Sequence, residues 1–433
     1  MWANGHASFF AREYTEGIHK SVKSVVQKIF SQAIEEEKKE ICIEKNVEET
    51  ADLTVSGNGS WQKIGFSSLY GVATLIGHYT GKVVDLIVKS AFCKVCEVNK
   101  KSKGEEEFNE WFENEHKIAC KANHSGPSGN MEPEAIKEMF QRSIANYGVR
   151  YVNYIDDGVS KTFTQVVNAK PYGEDFSINK KECIGHVQRR MGKRLRDLIN
   201  STVENIETAT GKKQKRKTLG GKGKLTGKMI DKLTVYYGLA IRRNYNSVEK
   251  MKKAIWGTYY HYSSTEEKPR HENCPSGADS WCSWQRALAK KETYKQDYSP
   301  LPSDVITALY PIYEDLSKPE LLERCLGGFT QNNNESLNQL IWKICPKNVY
   351  SGSIPVEIAA YTAACIFNRG TASLLMILHA MGVELGHNSH YYAQKANGSR
   401  ITAAEKKAQL STREARTRRR QQQTDALDIA SAA

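Results

Sequence analysis

The sequence predicts an α/β (α+β) protein, in which a strand-rich region is followed by a long helical one. Short β-rich pieces follow residue 51, a helix and a further strand come next, and the chain beyond residue 180 is mainly helical. With 433 residues the chain is long enough for two or three domains, since domains commonly contain about 100–200 residues. We therefore expect a sheet-containing core with added helical parts.

The charge and the distribution of apolar residues limit the classes of partner and the cellular location that we expect. The formal net charge is +13, which favours a polyanionic partner because clustered lysine and arginine release counterions from phosphates. An acidic membrane surface is the competing partner. No apolar run approaches the ~20 residues that cross a bilayer, and the N-terminal residues lack the apolar stretch of a signal peptide. We expect a soluble intracellular protein whose cysteines are metal ligands or buried thiols.

The first elements can be assigned in chain order. Residues 1–50 are helix-like and end in a charged run that fits a solvated helix face. The β-rich pieces ADLTVSG, SSLYGVATLIGHY and KVVDLIVKSAF then alternate with glycine-containing corners. This pattern predicts three antiparallel strands, the first of which ends at a corner formed by Asn58 and Gly59.

A helix and a fourth strand follow. The stretch MEPEAIKEMFQRSIANYG keeps apolar residues at helical spacing, with Pro133 near its first turn and Gly148 at its end. The next piece, RYVNYI, is β-branched and aromatic and runs into the acidic residues Asp156 and Asp157. The predicted order is therefore β-β-β-α-β, with polar residues at the ends of the first and fourth strands.

The remaining chain is predominantly helical and contains basic segments. One run, GKKQKRKTLGGKGKLTGK, has eight basic residues and no acid, so it is a solvated linker, a phosphate contact or a nuclear-import signal. The last segment is low in apolar residues and is either disordered or a basic helix. The candidate DNA-binding residues are Lys212, Lys213, Lys215, Arg216, Lys217, Lys222, Lys224 and Lys228.

These features divide the chain into five predicted segments. The first and last are a helical N-terminal segment and a basic tail, and a core split by an insertion lies between them. The segments are residues 1–50, the first part of the core 51–190 with a zinc-binding loop 93–124, the mainly helical insertion 191–325, the C-terminal helical part of the core 326–400, and the tail 401–433.

The loop after the third strand carries a candidate zinc site. Cys93-x2-Cys96 is followed by Cys120-x3-His124, and two such pairs can complete a tetrahedral shell around structural zinc. His116 is the rival imidazole. The alternative is a set of scattered reduced cysteines.

A second candidate zinc site lies in the insertion, with looser spacing. The ligand types suit zinc, but the neighbouring Trp281 and Trp284 fit equally well with an aromatic cluster around two buried thiols. The candidate ligands are His261, His271, Cys274 and Cys282.

A later helix contributes an acidic residue. In FTQNNNESLNQLIW the apolar residues share one helical face, which places Glu335 in the first turn with Asn333 or Asn334 as its cap. Taken alone, this acid is explained by its favourable interaction with the helix dipole. Together with the β-β-β-α-β order and Asp157, it matches the layout of the ribonuclease H-like fold, in which carboxylates hold two divalent cations for phosphoryl transfer.

Five motifs in collinear order resemble those of the Mutator-like DNA transposases, in the branch widespread in animal genomes. The resemblance extends from about Ala51 to about Gly370. The motifs are YIDDGVSKTF, the Cys183-x2-His186 pair in KKECIGHVQRRMGKRL, LTGKMIDKLTVYYGLAIRRN, HENCPSGADSWC and TQNNNESLNQLIWKICPK. The resemblance implies a ribonuclease H-like DDE catalytic core interrupted by a zinc-binding loop and a long, mainly helical insertion.

The resemblance also implies roles for individual residues. Asp157 is similar to the second catalytic acid and Glu335 to the third, while Cys183 and His186 match a pair beside the active site or in metal binding. The first acid of the family usually stands in DG-S/T-W, and here that motif reads NGSW, with Asn58 in its place. An amide offers a cation a neutral oxygen where aspartate offers a full charge.

Two functions remain open from the sequence. The first is a transposase in the nucleus that binds element ends and target DNA, acts as a homo-oligomer, and uses Mg²⁺ or Mn²⁺ for catalysis and Zn²⁺ for structure. The second is a catalytically inactive, decayed or domesticated relative that keeps the zinc modules and the DNA-binding surface. Asn58 is the feature that separates them.

Overall fold

The computed structural model describes residues 2–63, 67–156, 161–207 and 213–410. A π-helical turn, Phe112–His116, follows α3. The helices of the described residues are α1 Trp2–Lys45, α2 Lys94–Ser102, α3 Glu105–Trp111, α4 Met131–Tyr147, α5 Lys161–Asn168, α6 Ile184–Ser201, α7 Gly227–Arg242, α8 Val248–Ser263, α9 Ser283–Lys290, α10 Ser303–Asp315, α11 Pro319–Arg324, α12 Asn332–Ile344, α13 Ser353–Arg369, α14 Ala372–Ala380 and α15 His387–Leu410. The strands are β1 Asp52–Trp61, β2 Tyr70–Gly77, β3 Val83–Ser90, β4 Arg150–Asp156, β5 Asn179–Glu182, β6 Val203–Glu207 and β7 Lys213–Lys217.

Five strands form one mixed sheet in the order β3-β2-β1-β4-β5. β1, β2 and β3 pair antiparallel, whereas β4 runs parallel to β1 and β5 runs parallel to β4. The prediction of three antiparallel strands followed by a helix and a fourth strand is therefore confirmed. Because β1 and β4 are parallel neighbours, their carboxyl ends point to the same edge of the sheet.

The predicted corner at Asn58 and Gly59 is wrong. β1 continues to Trp61, and both residues pair with β2 inside the strand. The glycines of this stretch serve close packing instead of a turn. A Cβ atom at Gly57 would lie 2.5 Å from the ring of Tyr154, and one at Gly59 would lie 2.5 Å from the carboxylate of Glu132.

Helices cover both faces of this sheet. α4 and α5 pack on one face, over a buried core that includes Phe140, Tyr151 and Tyr154. α12 and α13 pack on the other face, over a core that includes Leu337 and Ile341. α1 packs beside α13 and β3. The face that carries α12, the helix of Glu335, is therefore the one relevant to the candidate site.

The helical insertion has a core of its own, which extends from Ile184 to Cys325 and so begins within the predicted segment 51–190. Its two ends meet beside the sheet, where the Ile184 backbone N–H donates to the Phe329 carbonyl over 3.0 Å. The buried carboxylate of Glu182 on β5 accepts from Arg190 and Arg324, one arginine at each end of the insertion. These contacts fix where the chain returns to the core and enters α12.

Two predicted irregular segments contain regular structure. Part of the basic run forms β7, which pairs antiparallel with β6. The predicted tail begins inside α15, which continues to Leu410, and residues 411–433 lie outside the described residues. Among the helices that the structure describes, none has the length and apolar character needed to cross a membrane.

Candidate functional site

α12 lies against β1 through alternate strand residues. Ser56 Oγ donates to Asn334 Oδ1 over 2.8 Å, and Trp342 Nε1 donates to Ser60 Oγ over 2.6 Å. Because alternate residues of a strand share a face, Asn58 lies on the same face of β1, between these two contacts. The site is therefore framed by β1 and by one face of α12.

Gln331, which immediately precedes α12, joins the middle of β1 to the end of β4. Its Nε2 donates to the carbonyl oxygens of Gly57 on β1 over 2.8 Å and of Ile155 on β4 over 3.4 Å. The side chain is only 3% exposed, and its Oε1 has no hydrogen-bond partner among the described residues. Gln331 thereby holds the start of α12 against β1 and β4, although sequence patterns gave no signal for this role.

The structure describes only one of the two candidate catalytic acids, Glu335. Glu335 follows Asn334 in the first turn of α12, so it lies beside the β1 contact. Asp157 follows the last residue of β4 in the sequence but lies outside the described residues. Asp156 shares its face of β4 with Tyr154 and therefore points away from α12. The structure thus places Asn58 close to the helix that carries Glu335 and does not describe Asp157.

The carboxylate of Glu335 is paired with a cation on the insertion. Arg189 Nη2 on α6 lies 3.3 Å from Glu335 Oε1, and both side chains are about half exposed or more. An exposed pair of this kind contributes about 0–1 kcal/mol. The carboxylate therefore remains available to a divalent cation.

The Cys183 and His186 pair lies where β4 meets α6. Cys183 is buried against Ile155 and Phe329, and its backbone N–H donates to the Asp156 carbonyl over 3.3 Å. His186 is in the first turn of α6 and is half-buried. Neither residue belongs to a cluster of metal-ligand side chains among the described residues. Their position is beside the candidate site, at the carboxyl end of β4.

The zinc-binding loop brings four ligand side chains together. The ligand atoms of Cys93, Cys96, His116 and Cys120 all lie within 4.8 Å of one another. Cys93 Sγ is 3.3 Å from His116 Nε2, and Cys96 Sγ is 3.6 Å from Cys120 Sγ. Tetrahedral zinc with bonds of about 2.0–2.3 Å requires ligand separations of roughly 3.3–3.8 Å. The four side chains therefore fit a zinc ion.

The structure corrects the imidazole of this cluster from His124 to His116. His124 uses both ring nitrogens elsewhere, because Nδ1 lies 2.8 Å from Glu134 Oε2 and Nε2 lies 3.1 Å from the Pro127 carbonyl. His116 ends the π-helical turn and stacks on Trp111 with ring centroids 4.7 Å apart. Both histidines are separated from Cys120 by three residues in the sequence, so spacing alone did not distinguish His116 from His124.

The insertion holds the second cluster. Its four candidate ligands, which are all buried, also lie within 4.8 Å of one another. His271 Nδ1 is 3.5 Å from Cys282 Sγ, while its Nε2 contacts Ser264 Oγ at 3.0 Å, which fixes the ring orientation as outer-shell partners of metal ligands do. Trp284 stacks on His271. The aromatic cluster and the ligand cluster, which the sequence offered as alternatives, are therefore one group of packed side chains. The four ligands are His261, His271, Cys274 and Cys282.

In each cluster the pKa of one thiol is lowered and the pKa of another thiol is raised. The Cys274 thiol donates a hydrogen bond that lowers the pKa of Cys282 to about 4 against the opposing effect of burial, and the same bond raises the pKa of Cys274. Burial would raise the pKa of Cys93, but backbone N–H groups and His116 lower it to about 6. Burial and the neighbouring thiols raise the pKa of Cys96 to about 12. Zinc binding must release the remaining thiol protons, so it strengthens as pH rises.

A comparison with protein families decides the identity. A family model described as Mutator-like transposase matches residues 8–282. The chain belongs to the Mutator-like transposase family. The matched residues include the five-stranded sheet and both clusters, and α12 follows them. Searches of curated proteins and of solved structures found no match.

The basic run of this Mutator-like transposase is divided between internal contacts and solvent. Lys224 Nζ donates to Asp304 and to the Thr218 carbonyl, which ties its loop to α10 within the insertion. Lys222 and Lys228 are exposed on either side of it. Lys217 is exposed and bonds Asn200. Lys212 lies outside the described residues, as do the side chains of Lys213, Lys215 and Arg216 on β7.

The two histidines of the zinc-binding loop have opposite expected effects. We expect His116→Ala to lower zinc content by about one ion per chain, because it removes a ligand of the first cluster. His124→Ala is the matched control, since it removes an equally buried imidazole that contacts Glu134 instead. Elemental analysis of the purified chains measures this. Zinc loss in the His124 variant alone would restore the original assignment.

Proposed function

We propose that the chain is a DNA transposase whose ribonuclease H-like core cleaves and joins DNA strands with Mg²⁺ or Mn²⁺. The strand order β3-β2-β1-β4-β5, with an antiparallel β1-β2-β3 part and parallel β4 and β5, supports this core. The family match supports transposition. The substrate is DNA at the element ends and at the target.

The observation that carries the proposal is the attachment of α12 to β1. The Ser56–Asn334 contact places the residue before Glu335 against the strand of Asn58, although the two segments are far apart in sequence. We assign Asn58, Asp157 and Glu335 as the residues that hold the cations. A two-metal site would require these three side chains to converge, since its cations lie about 3.5–4 Å apart.

The residues around this edge suit a hard divalent cation. Gln331 Oε1 is a buried carbonyl oxygen with no hydrogen-bond partner among the described residues. It lies next to α12, the helix that carries Glu335. Oxygen ligands of this kind, together with carboxylates, are those that Mg²⁺ and Mn²⁺ prefer. When bound, the cations would activate the attacking oxygen and stabilise the leaving one. In the protein itself, Gln331 ties β1 to the end of β4, and Arg189 pairs with Glu335 until a cation would replace it.

Asn58 favours a second function, that of a catalytically inactive DNA-binding relative. A neutral amide at this position leaves one fewer negative charge to offset two divalent cations, so metal occupancy is reduced. In both functions, we propose that the two Cys/His clusters hold structural Zn²⁺, that the protein works in the nucleus, and that copies associate when two DNA ends are joined.

Strand cleavage tests the proposal. The substrate is duplex DNA that carries the sequences flanking the gene for this chain, incubated with Mg²⁺ or Mn²⁺. We expect cleavage by the Asn58→Asp variant and none by the double variant Asn58→Asp/Glu335→Gln. If the double variant cleaves as fast as its parent, Glu335 is not a catalytic residue and the assigned site is wrong.

DNA binding has a separate expected result. Reversing two exposed charges, Lys222→Glu and Lys228→Glu, should reduce the slope of log K against log salt concentration by about 1.8 in total, since each duplex phosphate contact contributes about 0.9. The control reverses the exposed Lys39 and Lys45 of α1, with the same change in net charge. Fluorescence anisotropy over a salt series measures the slope. Equal slopes for the two double variants would place the DNA contacts elsewhere.

A further inference from the structure

An open depression between α8 and α10 of the insertion is lined by aromatic side chains. Its volume is about 620 Å³. Trp256 and Tyr260 lie four residues apart on α8 and so share one face of that helix. α10 contributes Tyr310, and the loop of the second cluster contributes Asn273. The depression therefore lies beside the second cluster, and none of the four ligands of that cluster lines it.

Trp256 is the central ring of this lining. Its ring centroid lies 5.8 Å from that of Tyr260 and 5.2 Å from that of Tyr310. The indole Nε1 donates to Ser317 Oγ over 3.0 Å, and this hydrogen bond fixes the ring. Because rings at such distances are in contact with each other, no cation fits between them as it does in an aromatic cage for methylated lysine. The rings form a platform with one open side.

The packing of α10 does not account for Tyr310. The residues that α10 buries in the core of the insertion are Val305, Leu309 and Tyr313. Tyr310 follows Leu309 but is 45% exposed, at the edge of the depression. A polar side chain at this position would leave that core intact. An aromatic ring presented at a concave surface is typical of a ligand-binding site.

Basic side chains surround the platform. Lys252 and Lys253 are exposed at the edge of the depression, about one helical turn or about 5.4 Å before Trp256. The guanidinium of Arg270 lies 5.2 Å from the ring centroid of Tyr260. The lining itself contains three lysines and two glutamates, so with the arginine the surroundings are positive. This charge favours an anionic ligand over a basic peptide.

We propose that this depression binds an unpaired nucleotide of a DNA strand, whose base stacks on Trp256 and Tyr310 while neighbouring phosphates contact the exposed lysines of α8. Aromatic rings beside basic side chains are the combination by which proteins bind single strands, because every base has a face that can stack. The proposal rests on the proposed function, since cutting a strand leaves an end whose last nucleotides can leave the duplex stack. A nucleotide freed in this way pays less to enter such a site.

The test is fluorescence anisotropy of the zinc-loaded full chain with a short labelled oligothymidylate and with a duplex of the same length. We expect Tyr310→Ala to weaken oligothymidylate binding about tenfold, as the loss of one stacked base does, and Tyr310→Phe to retain the affinity. The slope of log K against log salt concentration should not change in either variant, because no charge is lost. Lys252→Gln should instead reduce that slope by about 0.7. Tyr245→Ala, which removes a tyrosine that is 53% exposed elsewhere in the insertion, is the control.

The duplex probe separates this inference from the proposed function. If the unmodified chain binds neither probe, the proposed function fails and the inference with it. If the chain binds the duplex and Tyr310→Ala leaves oligothymidylate binding unchanged, only the inference is overturned. An equal loss of affinity for both probes would also overturn it, because the ring would then act on DNA irrespective of base pairing.

Tryptophan emission provides a second measurement that does not depend on the Tyr310 variant. Oligothymidylate should quench part of the emission of the unmodified chain, because a base stacked on Trp256 contacts its indole ring. Trp256→Phe keeps an aromatic ring at the platform, so it should bind the strand but lose that part of the quenching. Quenching of the same size in the variant would place the strand elsewhere and overturn the proposal.

Discussion

Replacing Asn58 with aspartate increases the rate of Mn²⁺-dependent DNA cleavage on the order of 100-fold, the scale of effect that one well-placed electrostatic group has on a catalytic rate. The substitution is nearly isosteric and lies inside β1, so the strand pairing with β2 is retained. The added charge acts on the cations that Asp157 and Glu335 would share. Initial rates on the flanking-sequence substrate, measured for both chains in Mg²⁺ and in Mn²⁺, give the ratio.

The melting temperature provides a second readout of the same variant. Without divalent metal, aspartate at position 58 adds a carboxylate near Glu335, and the repulsion lowers stability slightly. With Mn²⁺ the Asn58→Asp variant becomes the more stable of the two chains, because the metal binds the folded state alone. Rapid Mg²⁺-dependent cleavage by the unmodified chain, abolished by Asp157→Ala, would show that the amide at Asn58 suffices and that the inactive alternative is wrong.

Removing one ligand of the buried second cluster has the largest expected effect on stability. Cys282→Ser should lose one zinc ion per chain and about 4 kcal/mol or more of unfolding free energy, since loss of a structural metal belongs to the most severe class of single substitutions. The cluster connects α8 to the segment before α9, so its loss loosens the insertion. Elemental analysis and urea unfolding measure the two quantities.

Cys325→Ser is the matched control for this variant. Cys325 is as fully buried as Cys282 and belongs to the core of the same insertion, but it is outside the ligand cluster. It should lose some stability through the buried hydroxyl and keep its zinc. Identical zinc content in the two variants would mean that Cys282 is not a metal ligand.

Local patterns in the sequence predicted the elements of the core because their determinants are local. The strands of the sheet show β-branched and aromatic enrichment between glycine corners, and α4 has Pro133 in its first turn and ends at Gly148, which has a positive φ of 64°. The cysteine spacings predicted for the same reason which cysteines lie together, although the imidazole predicted for the first cluster was His124 and the structure has His116. Pairs two or three residues apart are held close by the chain itself.

Other features depend on contacts between distant segments and could not be derived from spacing. Gly57 and Gly59 have the composition of a turn but accommodate Tyr154 of the neighbouring β4 and Glu132 of α4, which packs on the sheet. The choice of His116 over His124 depends on a π-helical turn that the residue types do not specify. Gln331 gains its role only when α12 reaches β1 and β4.

The two ends of the insertion meet beside the sheet, at the hydrogen bond between Ile184 and Phe329 and at the carboxylate of Glu182, which accepts from Arg190 and Arg324. Topologically, the insertion is therefore a side branch of the core and not a spacer within it. Its own core sets its shape, and the contacts between its ends set how the chain passes from β5 to α12. A shortened chain that joins the two ends directly would keep α12 in register with β1.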